Sequence, residues 1–200
     1  MEKRSGRGIS VKIAYNTLHG NGEQEEDKDF KMLWNTKVTP KAQMLGWRVF
    51  LNKLPTKDNL LTRGIQLQNN LCELCCAHEE NVDHLFFSCT VSQMVCNMYD
   101  RWLGLSTVHH VKARANFQQF HLFDLNSTQN LVWKGMWLAI IGEIWNHRNG
   151  VIFNHRKVDP IEIFDQAQAV AWAWMKYKIQ NMKFSYSNWH FSPHTCLKFL

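Results

Sequence analysis

The sequence predicts an all-α chain: a small helical domain organised around a cluster of cysteine and histidine, followed by a long helical hairpin. Three observations carry this. From Leu131 to about Phe153, apolar residues recur at spacings of three and four (Trp133, Trp137, Ile140, Ile141, Ile144, Trp145), the signature of one helical face. Thr39-Pro40 and Asp159-Pro160 each put an oxygen-bearing cap before a proline at the first helical position, where a missing N–H costs nothing. The alternation that a half-buried strand requires is scarce throughout.

From the N-terminus, Ser10 is placed to cap a short helix carrying Ile13, Ala14, Tyr15 and Leu18 and ended by Gly20. Residues 21–29, with Glu23, Glu25, Glu26, Asp27 and Asp29, read as a solvated acidic linker, so that 1–29 forms an N-terminal helix and linker. A brief helix from Phe30 to Trp34 opens the next unit, 30–103. The Pro40 helix bears Met44, Leu45, Trp47, Val49, Phe50 and Leu51, a surface wide enough to be buried on more than one side. Thr56 reads as a second cap, for a helix with Leu60 and Leu61 that stops at Gly64. The cysteine segment follows and runs into an amphipathic helix with Val95, Met98, Tyr99 and Trp102. Residues 104–128 read as a polar, His-rich loop. The hairpin, 129–182, pairs the Trp133–Trp145 helix with one capped at Asp159 and carrying Ile163, Phe164, Ala167, Val170, Ala171 and Trp174. The tail, 183–200, has aromatics without a period.

At 200 residues and 45% hydrophobic, the chain can bury a real core. Its 23 Lys and Arg against 17 Asp and Glu, a net charge of +6, suit an anionic partner, though only weakly. The first eight residues carry charge and no apolar core, which is not the pattern of a secretory leader. The best apolar run, Met136 to Gly142, falls well short of the ~20 residues a membrane helix needs. An intracellular chain with no membrane partner is therefore expected. Thiols in a reducing compartment favour metal over disulfide.

Cys72, Cys75, His84 and Cys89 give C-x2-C-x8-H-x4-C, a complete tetrahedral first shell for Zn2+. Cys76 is an alternative to Cys75, and His78 an alternative to His84. Cys96 and Cys196 read as spare, with Cys96 placed for the core. Four protein ligands leave no position for water, so such a site organises the chain instead of hydrolysing a substrate. Catalytic sets are not found elsewhere. A polymerase needs paired carboxylates for two metal ions, and Tyr99-Asp100 is followed by Arg101-Trp102. Asp159, Glu162 and Asp165 are spaced like the first turns of a helix. His109, His110 and His121 read as a polar loop in preference to a metal site. The chain is expected not to be an enzyme.

The order Lys12, Ala14-Tyr15, Leu33-Trp34, Val38-Thr39-Pro40-Lys41, Trp47-Arg48, Leu54-Pro55-Thr56-Lys57-Asp58-Asn59-Leu60 and Arg63, then Cys72-x2-Cys75 and Asp83-His84-Leu85-Phe86-x2-Cys89, resembles the reverse-transcriptase zinc-binding domain of plant non-LTR retrotransposons. The resemblance covers about Ile9 to Trp102. In that family the module lies downstream of the polymerase, and the same four residues are implied as ligands. Trp145-Asn146-His147-Arg148-Asn149 with Phe153 resembles the helical segment that leads on to an RNase H-like domain. Two positions depart from the pattern: Glu73, where the family often has proline, and Cys76, where it frequently has glycine.

The function expected is a non-catalytic zinc module that binds nucleic acid through phosphates, with Lys37, Lys41, Arg48, Lys53, Lys57 and Arg63 as contacts. Trp34 and Trp47 are candidates for stacking on bases, against the more usual fate of large aromatics in a core. A reverse transcriptase, in cis or in trans, is a second expected partner. The competing expectation is a structural spacer between polymerase and RNase H that binds no nucleic acid itself.

Overall fold

The computed structural model describes residues 22–180 and 182–200, and the helix expected over residues 10–20 lies outside them. Among the described residues the chain is helical and forms no strand: α1 (Gly22–Asn35), α2 (Pro40–Phe50), α3 (Lys57–Thr62), a short π-helical turn (His84–Ser88), α4 (Thr90–Leu103), α5 (Ala113–Gln119), α6 (Ser127–Asn154), α7 (Pro160–Lys178), α8 (Tyr186–Phe191) and α9 (Pro193–Lys198). Caps set the starts. The Thr39 hydroxyl accepts the Ala42 N–H, and Asp159 accepts those of Ile161 and Glu162. Asn126 and Gln129 satisfy each other's backbone in a reciprocal capping box at the head of α6. Thr56 occupies the cap position of α3 without capping it; its hydroxyl donates to Asp58 Oδ1 at 2.5 Å.

α6 and α7 form the long antiparallel hairpin, and the cysteine-bearing half packs directly on it, α2 against α6 and α4 against α7. The sequence reads α6 as single-faced, and here the structure differs. Every residue from Val132 to Ile141 is buried. With 28 residues, and hence about 42 Å of length, α6 is the central post of the molecule and is covered on several sides. Close approach to it requires glycine: a Cβ on Gly46 would lie 2.6 Å from Leu138 Cδ2, and one on Gly135 would lie 2.9 Å from Val38 Cγ1.

Two further segments depart from expectation. Of the stretch expected as an acidic linker, residues 22–29 form the first half of α1. Asp29 is buried, and the Gln118 amide donates to both its carboxylate oxygens at 2.9 Å. The 104–128 loop contains α5, whose Phe117 is fully buried edge-on to Trp137 at 5.1 Å. Asn116 Oδ1 accepts the Trp137 indole N–H at 2.8 Å. Two turns of mostly polar residues show no period, so α5 was hidden in the sequence. The tail packs back: Trp189 and Leu197 are fully buried, and the Trp189 indole donates to the Gln168 carbonyl at 3.1 Å.

One core residue works against the fold. Lys134 is buried in α6, its ammonium 2.5 Å from the Phe117 carbonyl and over the Phe117 ring. Burial pulls its pKa down from 10.5 to about 8, against the opposing pull of Asp29. Below pH 8 both folded and unfolded chains carry the charge, and the folded one bears its desolvation cost. Between 8 and 10.5 the unfolded chain binds more protons, so this residue makes stability rise with pH. Lys134→Met is expected to stabilise the chain by about 2 kcal/mol at pH 7. The gain should shrink as pH passes 8, as read by denaturant titrations at pH 7 and 9.5. The Phe117 carbonyl keeps a donor in the Phe120 N–H.

Candidate metal centre

The first two cysteines lie in a tight turn between the arms of a short hairpin. Leu71 and Glu79 pair across it, the Cys72 N–H donates to the His78 carbonyl at 2.8 Å, and the Cys76 N–H returns to the Cys72 carbonyl at 2.8 Å. The backbone N–H groups of Leu74 and Cys75 point at the Cys72 sulfur. The second pair comes from the π-turn. In an α-helix, positions five apart leave the shared face that positions four apart keep. Here the Cys89 N–H closes an i→i+5 bond to the His84 carbonyl at 2.7 Å, which stacks His84 and Cys89 on one side and explains the x4 spacer. Asn81 fixes the start of the turn, its side-chain oxygen accepting the His84 N–H at 2.8 Å. Cys89 sits at the head of α4, and the N–H groups of Val91 and Ser92 reach its sulfur.

The four donor atoms of Cys72, Cys75, His84 and Cys89 all lie within 4.8 Å of one another. Cys72 Sγ is 3.9 Å from Cys89 Sγ, and Cys75 Sγ is 3.3 Å from His84 Nε2. A tetrahedral ion with thiolate and imidazole ligands needs about 3.8 Å between sulfurs and about 3.6 Å from sulfur to nitrogen. The donor set and its spacing therefore fit one metal ion. His84 Nδ1, on the other edge of the ring, is 3.4 Å from Ser88 Oγ, so Nε2 is the nitrogen turned to the sulfurs. Burial lowers the His84 pKa, aided by neighbouring His78, and so keeps the neutral, ligating form. Without metal, a hydrogen bond from the Cys72 thiol lowers the Cys89 pKa and the same bond raises that of Cys72.

Neither alternative ligand joins the cluster. His78 is exposed, its ring centroid 5.4 Å from that of His84. Cys76 is exposed and has φ of +53°, a left-handed conformation that costs an L-residue about 1 kcal/mol. Cys76→Gly is therefore expected to raise stability by ~0.5–1 kcal/mol in a denaturant titration, and to leave metal content unchanged. Cys96 is half-buried, and burial pushes its thiol up to about 12. Of the weighed histidines, His109 pairs with Asp100 at 2.8 Å and His121 lies edge-on to Phe123.

The centre is braced from outside by residues that sequence reasoning passed over. Glu80, fully enclosed at the base of the hairpin, takes Arg148 of α6 in a two-point pair, with Nη2–Oε1 at 2.5 Å and Nε–Oε2 at 3.1 Å. The same carboxylate accepts the Lys57 backbone N–H at 3.1 Å, and the Glu80 carbonyl accepts that of Asp58 at 3.2 Å. Asn59 adds donors to Asn52, Leu54 and Thr56. The P-T-x-D-N-L block is thus a bracket that ties the 51–56 loop and the hairpin to α3. Trp145 meets Phe86, and Phe87 stacks on Trp137 at 6.3 Å, which completes the wall between centre and post. Glu80 is one of two adjacent acids and reads as surface; only Arg148, inside the Trp145–Asn149 motif, carried a hint.

The basic residues fall into two groups. Lys37, Lys41, Arg48, Lys53 and Arg63 are exposed, and Arg63 donates to the Lys53 carbonyl at 3.4 Å. Lys57 is a correction: its side chain is only 8% exposed, with the ammonium on Glu73 at 2.6 Å and on Asn69 at 2.9 Å, which takes it out of the contact set. Glu73 thereby gains a purpose that the family's proline lacks. Trp34 is 43% exposed, whereas Trp47 is half-buried against the core.

Comparison with curated proteins and with solved structures returned no match. A family model does match: residues 9–95 fit the family described as zinc-binding in reverse transcriptase. The match ends within α4, so α6 and the bracing Arg148 lie outside it. With the helical fold and the Cys3His cluster in place, residues 9–95 are similar to a zinc-binding domain of the reverse-transcriptase type.

Proposed function

We propose that the chain is a non-catalytic module, organised by Zn2+ on Cys72, Cys75, His84 and Cys89, that binds nucleic acid through phosphate contacts. The observation that carries the metal reading is the closed set of four protein donors at tetrahedral spacing. Three sulfurs and one imidazole suit zinc, whose filled d shell imposes no other geometry, and they leave no coordination position for a reacting water. The binding reading rests on Lys37, Lys41, Arg48 and Lys53, exposed cations that form no ion pair among the described residues. Such side chains meet phosphates without reading sequence. A reverse transcriptase, in cis or in trans, is the partner that such a module would serve.

A labelled 20-nucleotide oligonucleotide titrated at several salt concentrations tests this. Affinity should fall steeply with salt, and Lys41→Glu with Arg48→Glu should weaken it at least tenfold and flatten the salt slope by about two. A second reading, a spacer with no nucleic-acid partner, draws on the fact that Lys57 and Arg148 are spent on internal pairs. Absence of salt-sensitive binding in the folded, metal-loaded chain would favour it.

A further inference from the structure

A groove of about 850 Å³ opens between α2 and α6. Its floor is apolar, formed by Leu45, Ala139 and Gly142, and the indoles of Trp145 and Trp174 border it. On one rim stand Lys41 and Arg48, seven positions apart on α2 and therefore on one face. Lys37 and Lys53 flank the two ends of that helix. Opposite them is one acid, Glu143, whose carboxyl pKa burial raises; the groove's remaining cation, Arg148, is neutralised by Glu80.

We infer that this groove receives the unpaired bases of a single-stranded nucleic acid while Lys41 and Arg48 hold its phosphates. The inference rests on the nucleic-acid reading above and narrows it to one ligand class. A duplex buries its bases in its own stack and would offer this surface only phosphates, leaving the apolar floor uncovered. A single strand supplies both parts at once: flat apolar faces for the floor and indoles, and a regular anionic backbone for the cationic rim. The groove thus reads as a platform for bases beside a track for charge.

Gly142 allows the two parts to be separated. A Cβ there would meet only Leu45 Cδ2, at 4.0 Å, so a larger side chain grows into the groove and not into the core. Leucine is also the better helix former, so Gly142→Leu should fold. Four labelled probes are titrated by fluorescence anisotropy: single-stranded RNA, single-stranded DNA, the matching DNA duplex, and an abasic deoxyribose-phosphate strand of equal length. The wild-type chain should bind the base-bearing single strands at least tenfold more tightly than the duplex or the abasic strand. Gly142→Leu should lose that preference and bind the abasic strand as the wild type does. Equal wild-type affinity for all four probes would overturn the inference, and needs no variant. So would unchanged single-strand binding by Gly142→Leu. If Lys41→Glu with Arg48→Glu abolishes binding while Gly142→Leu does not, phosphate binding stands and the groove falls. If the wild type binds no probe, both fall together.

Discussion

Cys72→Ser and His84→Ala are each expected to unfold the chain far beyond the turn that carries the ligand. Apparent binding energies of structural zinc, about 10–16 kcal/mol, match or exceed the ~5–15 kcal/mol by which whole domains are stable. The loss should spread because the ligands are part of the core. Cys72 and Cys89 are fully buried in the same apolar cluster as Trp137 and Ile144 of α6. Without the metal, Leu74, Leu85, Phe86 and Phe87 lose the constraint that holds them against that post. Far-UV circular dichroism should show loss of helical signal larger than the short helices near the centre can supply, and chelation should do the same to the wild type. Full helicity and an unchanged Tm in both variants would contradict a structural metal.

The second large effect is expected at Glu80 and Arg148. Their side chains are 0% and 4% exposed, so truncating one partner leaves the other charge buried without compensation. Arg148→Met should cost about 3–5 kcal/mol. Glu80→Gln keeps the shape and the acceptor for the Lys57 N–H but still strands the guanidinium, so it too should destabilise. The double variant is the sharper measurement. With neither charge present the desolvation penalty disappears, and Arg148→Met with Glu80→Gln should be more stable than Arg148→Met alone by at least ~1 kcal/mol. A double variant that loses the sum of the two single effects would mean that the pair is not coupled. Because Arg148 lies beyond the family match, the cycle also measures how far the C-terminal hairpin supports the zinc-binding domain.

Much of this fold can be read from the residues, and where it cannot, the reason is physical. Thr39-Pro40 and Asp159-Pro160 announce α2 and α7 because cap and proline signals are local. The grouping of Cys72, Cys75, His84 and Cys89 is legible because all four lie within one short stretch of chain. What escapes is tertiary. Asp29 reads as solvent-facing until Gln118, distant in sequence, covers it. α6 shows a helical period, yet the residues between its aromatic positions, Leu138, Ala139 and Gly135 among them, are buried too. Its surroundings, not its own pattern, decide that. Lys57 illustrates the converse limit, since nothing local distinguishes it from Lys53 until the hairpin brings Glu73 and Asn69 to its ammonium.

The central claim, that one zinc ion organises this chain, is tested most directly by elemental mass spectrometry on protein purified without added metal. Six cysteines and eight methionines put fourteen sulfur atoms in each chain, so the zinc-to-sulfur ratio reports stoichiometry without a protein assay. One zinc per fourteen sulfurs in the wild type, one per thirteen in Cys76→Gly and none in Cys72→Ser is the predicted result. A folded, helical wild-type chain carrying no metal would contradict it.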